Sequence, residues 1–235
     1  MNQEIKSQID RARELLKELK ESCNRDLTSR TVSDKTRNQT QEILVKMGSV
    51  IDQTMRYFYS KKVAPKLTQT EKEKAKTKIY FPITSDKNSM KSILGRGNMA
   101  DLEQDYPDIF KFLESIQPYN QGFEWMKQLS IFANERHIRL TPQKKIVEEK
   151  ITVSKEGVGV ASWTPKDVRF KSGASILGAP VDPATQDIRP IPGVTSKREI
   201  WVSFTLGDSG VNSLWLCETA INEGEKIISS FLKLF

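Results

Sequence analysis

Apolar residues at Ile5, Ile9, Ala12, Leu16, Leu19 and Cys23 recur at alternating steps of four and three, with Lys, Arg and Glu between them. That spacing draws one narrow stripe on a helix over about residues 2–23, a helix that needs a packing partner. Residues 24–37 are rich in Ser, Thr, Asp and Arg and read as a polar connection. A wider stripe of Ile43, Leu44, Met47, Val50, Ile51, Met55 and Phe58 predicts a second helix over about residues 38–61, seated deeper in the core. It closes before Val63-Ala64-Pro65, because proline pushes the residue before it out of the helical region.

Thr70-Glu71-Lys72-Glu73 has the letters of a capping box ahead of a short charged helix. Lys78–Thr84, containing Phe81-Pro82-Ile83, is extended and apolar, and Pro82 bars it from the centre of a sheet. It is expected to lie across the helices. Short helices follow over residues 86–116, with Pro107 in a first turn. The turn Gln117-Pro118-Tyr119-Asn120-Gln121-Gly122 leads into an aromatic-rich helix over 122–137 that ends at the only histidine, His137.

From Ile146 the period changes to two. Ile151 and Val153, then Val158, Val160 and Ser162 behind a Glu156-Gly157 turn, and then Val168 and Phe170 predict strands. Pro180, Pro183, Pro190, Pro192, Gly178 and Gly193 mark 178–195 as a long exposed loop. Lys197–Leu206 is the clearest strand, with Ile200, Val202 and Phe204 on one face and Trp201, Ser203 and Thr205 on the other. Asp208-Ser209 is placed to cap a final helix carrying Leu214, Cys217, Ile221, Gly224, Ile228 and Phe231, which packs on the sheet or returns to the bundle. The expected fold class is α+β. A helical domain over 1–142 precedes a small antiparallel β-sheet with a C-terminal helix over 143–235.

A chain of 235 residues with 37% hydrophobic and 29% charged residues has the composition of a folded soluble protein. The polar N-terminus does not resemble a signal peptide, and no apolar run reaches the roughly 20 residues of a membrane span. Cys23 and Cys217 fall on apolar helix faces and read as buried thiols, which fits a reducing, bacterial cytoplasm.

Charge adds a direction. The net +7 resides in residues 1–80, and 56–78 alone holds eight Lys and Arg against Glu71 and Glu73. Arg56, Lys61, Lys62, Lys66, Lys74, Lys76 and Lys78, interleaved with Tyr57, Phe58, Tyr59 and Tyr80, point to an acidic partner or nucleic acid, or form a solvated face.

Catalytic constellations are scarce. A Ser-His-acid triad would have to use His137, and no serine sits in a Gly-x-Ser-x-Gly elbow. Two distant cysteines and one histidine cannot close a zinc site, and Asp101, Glu103, Asp105 and Asp108 lack calcium-loop spacing. Gly95-Arg96-Gly97-Asn98-Met99-Ala100 spells a dinucleotide fingerprint, but no buried strand precedes it. Helical ribonucleases of the HEPN class carry an Arg followed by four to six residues and then a His; the positions that would hold the Arg before His137 are Ser130, Ile131 and Phe132. No catalytic residue, metal or cofactor is assigned.

Phe81-Pro82-Ile83, then Gln117-Pro118-Tyr119, then a helix ending Asn134-Glu135-Arg136-His137 resemble a largely uncharacterised bacterial family with Phe-Pro-Ile, Gln-Pro-Tyr and Asp-Lys-His-Arg motifs, linked to HEPN-like helical domains. The resemblance implies the order of elements above. It also implies lost activity, because the family's Arg and His on the second helix stand here as Gly48 and Gln53, while Ser49 and Asp52 match. With no catalytic constellation in a well-specified fold, the expectation is a non-catalytic interaction protein with a polar cluster of Asp52, Gln117, Tyr119 and His137, and Arg136 as a further binding residue. Its partner is another protein, a second copy of the chain, or an acidic or nucleic-acid partner at 56–78. The alternatives are an RNA- or DNA-associated protein or a degenerate nuclease-like helical domain.

Overall fold

The first two helices, α1 (Gln3–Ser29) and α2 (Asp34–Phe58), form an antiparallel hairpin. Gln8 Nε2 donates to Gln53 Oε1 at 2.9 Å towards one end, and Ser22 Oγ donates to Gln39 Oε1 at 2.8 Å towards the other. The computed structural model describes residues 3–29, 31–135, 138–155, 159–163, 168–184, 188–189, 191–192 and 197–235. Most of the stretch expected as a polar connection is helical. Asp26, 2% exposed, accepts from Ser33 N at 2.7 Å and from Ser33 Oγ at 2.8 Å. Ser33 in turn caps α2 by accepting from Thr36 N. Polar residues here close a tight helical corner instead of a loop. On α1 the stripe turns on Leu15, 2% exposed, with Leu16 only partly covered.

Past Phe58 the helix widens into a π turn, Tyr59–Val63, and tightens into a 3-10 turn, Ala64–Lys66. Pro65 has no N–H and its ring would strike the preceding turn, so Ala64 N–H reaches back to Tyr59 O. The next helix, α3 (Gln69–Ala75), is capped by Thr68 and Glu71, one pair earlier than the expected Thr70 and Glu73. Three short helices follow: α4 (Lys87–Arg96), α5 (Leu102–Asp105) and α6 (Pro107–Ser115), the last with Pro107 in its first turn. After the 117–122 turn comes α7 (Glu124–Ala133).

The last helix, α8 (Ser213–Leu232), packs on α1, α2 and α7. Asn212 caps it by accepting from Trp215 N at 2.9 Å, while Ser209 is held in the preceding turn by Leu206 O. Asp208-Ser209 is therefore not the cap. Gly224 lets α8 approach α2, since a Cβ there would lie 3.1 Å from the Met47 methyl. At the centre, the Phe231 ring stands 5.6–5.8 Å from those of Phe58, Phe81, Phe112 and Phe235. Each fully buried side chain of this size contributes roughly 1.5–3 kcal/mol.

Strand β1 (Leu140–Lys155) pairs antiparallel with β2 (Gly159–Trp163), with Ile151 opposite Trp163 and Lys155 opposite Gly159. The expected Glu156-Gly157 turn and the position of Val158 lie outside the described residues. The sheet order is β2-β1-β5, β5 being Lys197–Leu206. At the end of β5 Phe204 is 2% exposed, while Val202, expected on the same face, is 41% exposed. Residues 168–170 are not a strand. Part of the supposed exposed loop is folded, with β3 (Ser175–Ile176) paired to β4 (Ala179–Pro180) and Val181 bridged to Ile188. Ala179, Val181 and Ile188 are buried there with Phe170 packed against them, so hydrophobic pairing wins over proline density.

The chain divides into two units, residues 1–141 with 204–235, and residues 142–203. The last helix thus returns to the bundle, and the second unit is the strand region alone. The fold is α+β, helical with a small antiparallel sheet. Among the described residues no helix is long and apolar enough to cross a membrane.

Candidate functional site

The most distinctive polar architecture of the helical unit is built around the outward face of α2. Gly48 lies so close to α7 that a Cβ on it would stand 2.9 Å from the Ala133 Cβ, so only glycine lets the helices meet here. Ser49, Asp52, Gln53 and Arg56 follow at helical spacing on the side of α2 next to this contact. Opposite them runs the extended segment Lys78–Thr84.

That segment is held at two points. Phe81 N donates to Asp52 Oδ1 at 2.9 Å. Gln117, fully buried, accepts from Thr84 N at 2.9 Å and Thr84 Oγ1 at 3.2 Å, and its Nε2 donates to Pro82 O and Leu113 O, both at 2.7 Å. Since Pro82 has no N–H, its carbonyl is the only backbone group it can offer, and Gln117 takes it. Asp52 and Gln117, expected in one polar cluster, thus each grip one end of Phe81–Thr84.

Between α2, this segment, the end of α4 and α7 lies a groove of about 600 Å³. Val45, Phe81, Ile83, Ile93 and Leu129 supply apolar wall, and Ser49, Gln53, Ser130 and Asn134 supply hydrogen-bonding groups. Its charged lining is Asp52 with Arg56, Lys78 and Arg96. Arg56 Nε donates to Ile79 O at 3.3 Å and its guanidinium lies 5.9 Å from the centre of the Tyr80 ring. Tyr80 lines the groove and is 47% exposed. Gly97 brings the α4 end close, because a Cβ there would be 2.9 Å from the Met99 methyl and 3.6 Å from Lys78 O. Burial raises the Asp52 carboxyl above its usual pKa, opposed by the Phe81 hydrogen bond and by the Arg56 charge one turn along.

The other expected residues disperse. Tyr119 is 40% exposed in its turn and outside the groove lining; burial raises its phenol, as does the nearby Glu114 carboxylate, while Lys87 pulls the other way. Arg136 and His137 lie outside the described residues. Of the basic stretch, only its two ends, Arg56 and Lys78, reach the groove. Lys66 pairs with Asp105 at 3.3 Å and sits over the Tyr106 ring, Lys61 lies over Tyr57, and Lys76 is 4.0 Å from Glu73. Lys62 and Lys74 line no part of the groove.

Arg96 was the residue hidden from sequence reading. It sits in the glycine-rich letters of a false fingerprint, and the usable signal there was Gly97 at a helix end. Among the described residues, no cluster of His, Cys, Asp and Glu is large enough to hold a metal ion. The two thiols are free, buried and poorly nucleophilic, since burial pushes Cys23 up to about 11 and Cys217 upward as well. The groove offers cations, one acceptor carboxylate, a half-open aromatic ring and apolar wall. Comparison with family models, with curated proteins and with solved structures finds no match.

Proposed function

We propose that the protein is a non-catalytic binding protein and that the groove over α2 holds a negatively charged ligand. The observation that carries this reading is the convergence of Arg56, Lys78 and Arg96 on one groove. Among the described residues none of the three stands within ion-pair distance of an acid, whereas Lys66, Lys87 and Lys91 all do. Cations with no acid within ion-pair distance, gathered around a concave, partly apolar surface, attract anions. The free, buried Cys23 and Cys217 support a reducing cytoplasm as its place of action.

A titration of sodium phosphate into the 15N-labelled full chain, at constant ionic strength, tests the reading. The Tyr80, Phe81 and Gly97 amides shift together and saturate if it is correct. Shifts confined to Lys61, Lys62 and Lys66 overturn it in favour of nucleic-acid binding along the basic stretch. That second reading is supported by the exposed lysines of 56–78 and predicts RNA affinity that falls steeply with salt.

A further inference from the structure

We infer that the ligand of the groove is an aromatic organic acid whose ring carries an N–H donor, its anionic group held by Arg56, Lys78 and Arg96 and its N–H by Asp52. This rests on the reading of the groove as an anion site and narrows it.

An inorganic anion would engage the cations and leave most of the groove unused. At about 600 Å³ the space falls inside the range of about 300–1,000 Å³ typical of sites for whole organic molecules. Its walls suit a flat apolar body. Phe81, Ile83 and Leu129 line it, and Tyr80, 47% exposed, offers an aromatic surface beside the Arg56 guanidinium.

Asp52 decides the rest. One of its oxygens receives the Phe81 N–H at 2.9 Å. A carboxylate has about four lone-pair positions, so acceptor capacity remains on a side chain that lines the groove. A carboxylate beside an anion site repels a second negative charge and favours a donor. It therefore selects a ligand with one anionic group and an N–H over a polyanion. Asp52 is the one acid among the described residues that line the groove, and Ser49, one turn back, already accepts from Gln53 Nε2 at 3.3 Å.

Four matched probes separate these features on the 15N-labelled full chain, read at the Tyr80 and Phe81 amides: acetate, indole, 1-naphthaleneacetate and indole-3-acetate. The proposal expects indole-3-acetate to bind on the order of tenfold more tightly than 1-naphthaleneacetate, because a hydrogen bond to a charged acceptor is at stake. It expects 1-naphthaleneacetate to bind more tightly than acetate, and both ring acids to bind more tightly than indole. Asp52→Asn should narrow the difference between the two ring acids, because a neutral amide oxygen is a weaker acceptor than a carboxylate, and Tyr80→Ala should bring both towards acetate. If acetate moves the amides but the ring acids bind no better, the inference falls and the anion reading stands. Equal binding of the two ring acids to the unaltered protein also overturns it. If no anion moves these amides, both fall together.

Discussion

The two ends of Phe81–Thr84 are held in opposite ways. At one end Gln117 is fully buried, uncharged and saturated, with bonds to Thr84, Pro82 and Leu113. At the other end Asp52 is half-buried and charged, makes one bond to Phe81 N, and lines an open groove. A neutral amide at its bonding capacity has nothing left to offer a ligand, so its role is structural. A half-buried carboxylate whose burial is offset by the Phe81 N–H and the Arg56 charge still keeps spare acceptor positions on the groove side. The contrast teaches where fold and function separate in this molecule: one end of the segment serves folding, the other is left available.

The largest expected effect lies at the folding end. Gln117→Ala leaves buried Thr84 N–H and the Pro82 and Leu113 carbonyls short of partners, and should cost about 3 kcal/mol in urea unfolding, given about 1–3 kcal/mol per unsatisfied buried group. A loss under about 1 kcal/mol would break the comparison, because Gln117 would then be no anchor.

Next comes the floor of the groove. Gly48→Ala places a methyl 2.9 Å from Ala133 Cβ and should destabilise by about 1–3 kcal/mol through overpacking of α2 on α7. Adding Ala133→Gly should restore much of the loss in the same unfolding assay. Failure of that rescue would place the strain elsewhere.

Asp52→Asn should change stability by less than about 1 kcal/mol near neutral pH, since an amide oxygen can still accept the Phe81 N–H. Its clearer signature is pH dependence. The folded-state pKa of Asp52 is raised, so the folded protein binds this proton more tightly than the unfolded chain. This group's contribution to stability therefore improves as pH falls from its raised pKa towards the ordinary carboxyl value near 4, and is lost as pH rises back through that window. The Asp52→Asn substitution removes that slope. Unfolding curves of the two proteins that stay parallel across the window would contradict the environment described for Asp52.

Much of the bundle was legible because core burial writes a period into the chain. The stripe Ile43–Phe58 and the strand Lys197–Leu206 appear where that period put them. Caps were less legible. Thr68 with Glu71 and Thr70 with Glu73 spell the same pattern two residues apart, and only the 3-10 turn closed by Leu67 N on Ala64 O settles which pair begins the helix. The 178–195 stretch misled because prolines mark turns without saying that Ala179, Val181 and Ile188 between them pair and bury. For the groove, Asp52 could be noticed beside an apolar face, but Arg96 could not. Nothing local to Arg96 announces that Lys78, distant in sequence, will be its neighbour across the space. Gln117 stood out by its turn, yet its partners Thr84 and Pro82 lie more than thirty residues back.

The smallest stability effect per substitution belongs to the groove's cations, and it is also where the central claim is most exposed. Arg56→Gln, Lys78→Gln and Arg96→Gln combined remove the exposed charges and spare the core. The direct measurement is the phosphate titration of this triple variant beside its unfolding curve. The predicted result is a stability within about 0.5 kcal/mol per substitution of the unaltered protein, with the saturable shift of the Phe81 amide abolished. A folded variant whose Phe81 amide still responds to phosphate as before would contradict the account.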